Sequence, residues 1–140
     1  MARPFHEAQV NYYVQDVEGM AAFYQEHFGF VETFRFPREG APLKIEVRLG
    51  EFVLGFGAVA AVRALHGLDV DPGRPRGEIA LWTDDVDRVH AELTARGVRC
   101  LSPPHNFVDT LRAAWFEDPE GNPIQIVSRV GAGHDGLPAR

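Results

Sequence analysis

Asp118-Pro119-Glu120-Gly121-Asn122, running straight into Pro123-Ile124-Gln125-Ile126-Val127, is the stretch that decides how this 140-residue chain folds. Proline presets the backbone for the second position of a turn, and Gly-Asn accepts the positive φ that reverses a chain. The flanking segments, residues 111–116 and 124–127, have the apolar, β-branched and aromatic character of strands. A hairpin is therefore predicted, and its second strand carries Gln125 onto one face of a sheet. The question it raises is what the rest of the chain sets beside Gln125.

Earlier in the same half of the chain, residues 78–82 alternate, with Glu78, Ala80 and Trp82 on one face. Asp84 or Asp85 can cap a helix whose apolar stripe is Val86, Val89 and Leu93, and Gly97 ends it. Residues 98–101 read as a strand, and Ser102-Pro103-Pro104-His105-Asn106 as a loop. The first half of the chain has the same order. Residues 10–14 form a strand with Gln9, Asn11 and Tyr13 on one face. Asp16 caps a helix with the stripe Val17, Met20, Ala21, Tyr24 and Phe28, and Gly29 stops it. Strands follow at residues 30–35, 44–49 and 52–56. Asp16 and Asp85 are 69 positions apart, as are Gln9 and Glu78, and Leu54-Gly55-Phe56 answers Ile124-Gln125-Ile126. This is an internal repeat. Module one is expected over residues 8–57, a linker with a short helical turn over 58–77, module two over 78–128, and a loose tail over 130–140. Either module alone is small for an independent core. The expected fold is a single α+β domain: two tandem βαβββ modules forming a cupped mixed sheet around a cleft, with the helices outside.

Composition narrows the function. Hydrophobic residues make up 45% and charged residues 24%, as in ordinary globular proteins. A net charge of −6 argues against nucleic acid or an anionic membrane as partner. No apolar run reaches membrane-spanning length, and the N-terminus has no signal-peptide core. A single cysteine, Cys100, leaves no internal disulfide and fits a cytoplasmic protein. Cys100 has no evident His or cationic partner, lies next to Leu101 and reads as a structural thiol. Gly55-Phe56-Gly57 lacks the Lys and Ser/Thr of a phosphate loop, and no Ser-His-Asp signature is present.

Residues 10–30 (VNYYVQDVEGMAAFYQEHFGF), and 116–122 (FEDPEGN) with Ile124-Gln125-Ile126, resemble the vicinal oxygen chelate superfamily of glyoxalase I, extradiol dioxygenases, and fosfomycin- and bleomycin-resistance proteins. The resemblance covers about residues 8–128. It implies metal ligands at the start of the first strand and the middle of the last strand of each module, which here are Gln9, Gly55, Glu78 and Gln125. Gly55 offers no side chain, Gln9 and Gln125 offer neutral amides, and only Glu78 is charged. A divalent ion wants at least three good donors with compensating charge. The histidines do not repair the set. His6 and His134 lie outside the modules, His27 and His90 read as outward on helices, and His66 falls in the linker. His105 falls in a loop that borders the cleft in this family.

The ligand-binding residues expected from this pattern are Gln9, Asn11, Tyr13, Glu78, Trp82, Ala113, Trp115 and Gln125. Two indoles, a phenol, amides and one carboxylate suit a planar or aromatic molecule. Plainer roles compete: Trp82 and Trp115 as core, Glu78 as an exposed strand end, and Arg48, Arg99 and Arg112 as solvated edge residues rather than anion readers. Glu78 is the only candidate general base, and only if it is buried among the indoles. The expected function is metal-free binding of a small molecule, of the sequestration or resistance type, with no cofactor. The alternative is a metal-dependent lyase, isomerase or dioxygenase with a divalent ion on Gln9, Glu78 and Gln125. A scaffold without a small ligand is the third reading. The resemblance further implies a C2 homodimer, with module pairing within or between chains left open.

Overall fold

The computed structural model describes residues 7–130. His6, His134 and the tail from residue 131 lie outside the described residues. The chain divides between Gly73 and Arg74 into two compact units.

Module one runs β1 (Val10–Val14), α1 (Val17–Phe28), β2 (Val31–Phe36), β3 (Lys44–Leu49), β4 (Phe52–Ala58) and α2 (Val59–His66). Its sheet has the order β1-β4-β3-β2, with β1 parallel to β4 and the other pairs antiparallel. Strand alternation sorts the side chains onto two faces. One face carries Ile45, Val47, Leu54 and Phe56, all fully buried. Against it lies the stripe of α1, Val17, Met20, Ala21 and Tyr24. Tyr24 stands 5.5 Å from Phe56, ring centre to ring centre. Asp16 caps α1 by accepting from the Gly19 amide at 2.9 Å, and Gly29 ends it in the left-handed conformation at φ 75°. Arg35 on β2 grips both carboxylate oxygens of Glu18 on α1, at 2.7 and 2.8 Å. Those charge-assisted bonds hold the Glu18 carboxyl below the usual carboxylate range.

Module two repeats the plan with β5 (Ile79–Trp82), α3 (Val86–Ala95), β6 (Cys100–Phe107), β7 (Leu111–Glu117) and β8 (Pro123–Arg129), in the order β5-β8-β7-β6. Again the first strand runs parallel to the last. Asp85 is the cap, accepting from the Arg88 amide at 3.1 Å. The β7–β8 hairpin is the one predicted from residues 118–122. Asp118, 2% exposed, folds its carboxylate back over the turn. One oxygen accepts from the amides of Glu120 and Asn122 at 3.0 and 2.9 Å, and the Asn122 side chain donates to both oxygens. The acidic residue that opens the motif thus satisfies the turn's own backbone, an Asx-type turn in a buried setting.

One expectation needs correction. Residues 102–106 are not a loop: they belong to β6, which extends from Cys100 to Phe107. Two prolines are tolerated there because β6 is an edge strand, and its pairing with β7 shifts register on both sides of Ser102. The helical turn expected at the start of the linker forms, as the eight-residue helix α2 that packs on β4 and β1. Two other features also differ from the sequence reading. His27 and His90 are half-buried rather than outward, each set against an aromatic ring, Phe23 at 4.9 Å and Phe116 at 5.6 Å.

Candidate functional site

In each module the sheet face opposite the long helix carries the expected site residues. In module one this face holds Asn11 and Tyr13 on β1, Gly55 and Gly57 on β4, Lys44 and Glu46 on β3, and Phe34 and Phe36 on β2, as the register dictates. Gly55 is fixed by its neighbour. A Cβ there would collide with the Asn11 carboxamide oxygen and come within 3.2 Å of the Lys44 stem. The place where a ligand side chain would begin is therefore filled by Asn11. Gln9 is tied into the same cluster: its side-chain amide donates to Asn11 Oδ1 and to Glu46 Oε2, both at 2.9 Å. Lys44 Nζ closes it, 3.2 Å from the same Glu46 oxygen. Glu46 escaped the sequence reading, although the alternation of residues 44–49 puts it on this face, opposite Gly55.

In module two, adjacent rows across the sheet are Ala80–Gln125–Trp115 and Trp82–Val127–Ala113–His105. So Glu78, Trp82, Ala113, Trp115 and Gln125 do lie on or beside one face. Ala113 is fully buried and offers backing rather than contact. Glu78, just before β5, is exposed, so the burial on which its role as a base depended is not there. Its carboxylate instead accepts the Trp115 indole N–H at 2.9 Å. The indole lies nearly parallel to the His105 ring, centres 5.7 Å apart and planes 23° apart, with Phe107 at 6.2 Å. His105 Nδ1 is 2.8 Å from the Pro103 carbonyl. A carbonyl can only accept, so Nδ1 carries the proton and Nε2 is left as the acceptor of the neutral ring. Trp82 is covered by the Arg129 guanidinium, 4.2 Å from its ring centre. Phe107 was missed, and His105 was placed only in a loop at the cleft's border, because the two prolines read as a loop; once residues 100–107 are a strand, alternation puts both on the indole face.

Two of the three arginines weighed as anion readers, Arg99 and Arg112, are engaged locally. Arg112 binds both oxygens of Asp87 at 2.8 Å and Asn106 at 3.0 Å, and Arg99 pairs with Glu117 at 3.0 Å. The bonds from Arg112 hold the Asp87 carboxyl below its ordinary range. Cys100 is a free thiol, part-buried at the start of β6.

These donors do not suit a divalent ion. Of the four positions the resemblance marks, Gly55 is blocked, Gln9 and Gln125 offer only neutral amide oxygens, and Glu78 uses a carboxylate oxygen to orient an indole. Among the described residues no three His, Cys, Asp or Glu side chains gather where a metal could be held. No helix of the described residues is long and apolar enough to cross a membrane.

A model of the Glyoxalase/Bleomycin resistance protein/Dioxygenase superfamily matches residues 7–126. Among solved structures, a glyoxalase/bleomycin resistance protein/dioxygenase from Nocardioides is similar with a TM-score of 0.77 at 20% identity, over 100% of this chain and 91% of that one. A superfamily member from Sphaerobacter thermophilus gives 0.69 at 26% identity, over 89% and 98%. A lactoylglutathione lyase from Agrobacterium tumefaciens gives 0.67 at 18% identity, over 96% and 100%. No curated protein matches the chain.

Proposed function

Because the chain belongs to the glyoxalase/bleomycin resistance protein/dioxygenase superfamily, whose shared fold serves many reactions, we propose from the site itself that it binds a small planar or aromatic molecule without a metal ion. The function is of the sequestration or resistance type. The observation that carries this reading is the bond from Trp115 to Glu78. Of the four positions that the resemblance marks for metal ligands, Glu78 alone carries a charge, too little to hold a divalent ion. The Glu78 carboxylate accepts an indole N–H at 2.9 Å and fixes the plane of an aromatic platform. His105 lies parallel to that platform, and Phe107 flanks it. Such walls favour stacked, planar partners. Gln125, beside Trp115 in the register, adds a hydrogen-bonding amide.

Both tryptophans of the chain, Trp82 and Trp115, lie in module two, so intrinsic fluorescence reports on this face. A panel of planar aromatic compounds is expected to quench it saturably, and Trp115→Ala to remove the response. Protein grown with manganese, nickel, iron and zinc is expected to carry well under one ion per chain. A stoichiometric ion lost in Glu78→Ala would sink the reading.

Glu46 favours a second one, a metal-dependent lyase, isomerase or dioxygenase. It places a carboxylate opposite Gly55, on the face that Gln9 reaches. Its pairing with Lys44 makes this the weaker case. A C2 homodimer is part of the proposal. Val31 and Leu49, 63% and 38% exposed where β2 and β3 adjoin, provide apolar surface for it, and sedimentation equilibrium tests it.

A further inference from the structure

We propose that module one carries a pocket of its own, for an apolar or aromatic small molecule that bears an anionic group, with Lys44 receiving the anion. The pocket is a cavity of about 390 Å³ between the sheet face that carries Asn11 and the helix α2. That volume falls in the ~300–1,000 Å³ range of small-molecule sites. Its walls are Phe34 and Phe36 from β2, Tyr13 from β1, and Val62 and Leu65 from α2. Phe34, Phe36 and Leu65 are 46%, 57% and 66% exposed, so the pocket is open enough to admit a ligand.

The sequence builds this space deliberately at two points. Gly57 lines the pocket beneath α2, and a Cβ there would come within 3.3 Å of Val62, pressing on the helix. Arg63 then donates twice to the Val70 carbonyl, at 2.9 and 2.6 Å, which ties the chain leaving α2 back onto the helix. The chemistry of the lining is one-sided. Among the described residues that line it, the ionisable side chains besides the Tyr13 phenol are Lys44 and His66, both basic types, and none is a carboxylate. Glu46 engages Lys44 at 3.2 Å, but an ammonium has three donors, and one carboxylate oxygen does not exhaust them. A ligand with an apolar ring system in the cavity and a carboxylate or sulfonate at Lys44 matches both halves of the lining.

The probe pair that isolates this idea is 1-anilinonaphthalene-8-sulfonate and N-phenyl-1-naphthylamine, the same ring body with and without the anion. The sulfonate is expected to bind saturably at one site per chain. Lys44→Met keeps the apolar stem and removes the charge. It is expected to weaken sulfonate binding about tenfold, the lower end for a charge-assisted bond because Lys44 is part-exposed and already paired. The neutral probe should change by less than about twofold. Ala61→Phe fills the cavity from α2 and should abolish both, with far-UV circular dichroism confirming the fold. The proposal is overturned if Ala61→Phe leaves both affinities intact, if Lys44→Met weakens both probes alike, or if Ala61→Phe dissociates a dimer, which would mean that a second copy covers this face. Trp115→Ala is expected to leave both probes bound. Loss of binding there would place the probes on module two, ending this proposal without touching the reading of Trp115.

Discussion

Gly55→Ala is a small change with a sharply conditional outcome. The new Cβ would overlap the Asn11 carboxamide oxygen and crowd the Lys44 stem at 3.2 Å. Gly55 lies on β4, between β1 and β3, so the backbone cannot retreat without disturbing two ladders. Asn11 must therefore swing away and lose the bond from Gln9. A neutral hydrogen bond contributes about 0.5–1.5 kcal/mol, and a side chain forced off its rotamer costs about the same. Against this, alanine recovers roughly 0.5–1 kcal/mol over glycine within a strand. The net expectation is a loss of about 1 kcal/mol, read as a lower midpoint in urea at unchanged slope. In an Asn11→Ala background the obstacle is gone, and Gly55→Ala should turn stabilising by about 0.5 kcal/mol. The coupling between the two positions is then about 1.5 kcal/mol, well above the scatter of independent sites. If Gly55→Ala costs the same in both backgrounds, Asn11 does not fill this place, and the reason offered for the missing ligand at Gly55 is wrong.

Other consequences follow from the turn, the β6–β7 loop and the surface ion pairs. Asp118→Ala removes the acceptor for two part-buried backbone amides and the Asn122 side chain, and should cost about 2 kcal/mol in urea unfolding; Asp118→Asn, which keeps one acceptor oxygen, should cost less. Val108 sits in the left-handed region at φ 53°, where a β-branched residue is strained by about 1–2 kcal/mol. Val108→Asn should therefore raise stability by about 1 kcal/mol, and an unchanged melting temperature would count against that backbone conformation. Glu18 and Asp87 have carboxyls held low in the folded state by Arg35 and Arg112. Their contribution is present above the unfolded values near pH 4 and is lost as pH falls through the lower folded ones. Both pairs are exposed to solvent, so Asp87→Asn should flatten the acid limb of stability against pH only slightly, and less in high salt.

Much of this architecture was legible because its determinants are local. Asp16 and Asp85 announce helix starts, Gly29 a helix end, and residues 118–122 a turn. The 69-residue spacing then makes one module predict the other. What failed was also physical. Pro103 and Pro104 read as a break because proline cannot donate to a ladder, yet an edge strand asks for no donor on its open side. That error hid Phe107 and the stacking of His105, which the sequence placed only at the cleft's border, on Trp115. Glu46 was hidden differently. Its place on the face follows from alternation, but its importance depends on being opposite Gly55 and within reach of Gln9, and strand register is set by pairing across the sheet. The cavity beneath α2 was out of reach for the same reason: nothing local in Val59–His66 says which sheet face the helix will cover.

The most direct test is a fluorescence titration of chelator-treated protein with planar aromatic compounds, repeated after adding back manganese, nickel, iron or zinc. Quenching of Trp115 that saturates without metal, is unchanged by metal and disappears in Trp115→Ala is the predicted result. Quenching that appears only when a divalent ion is restored, or none with any compound, would contradict a metal-free aromatic binding site.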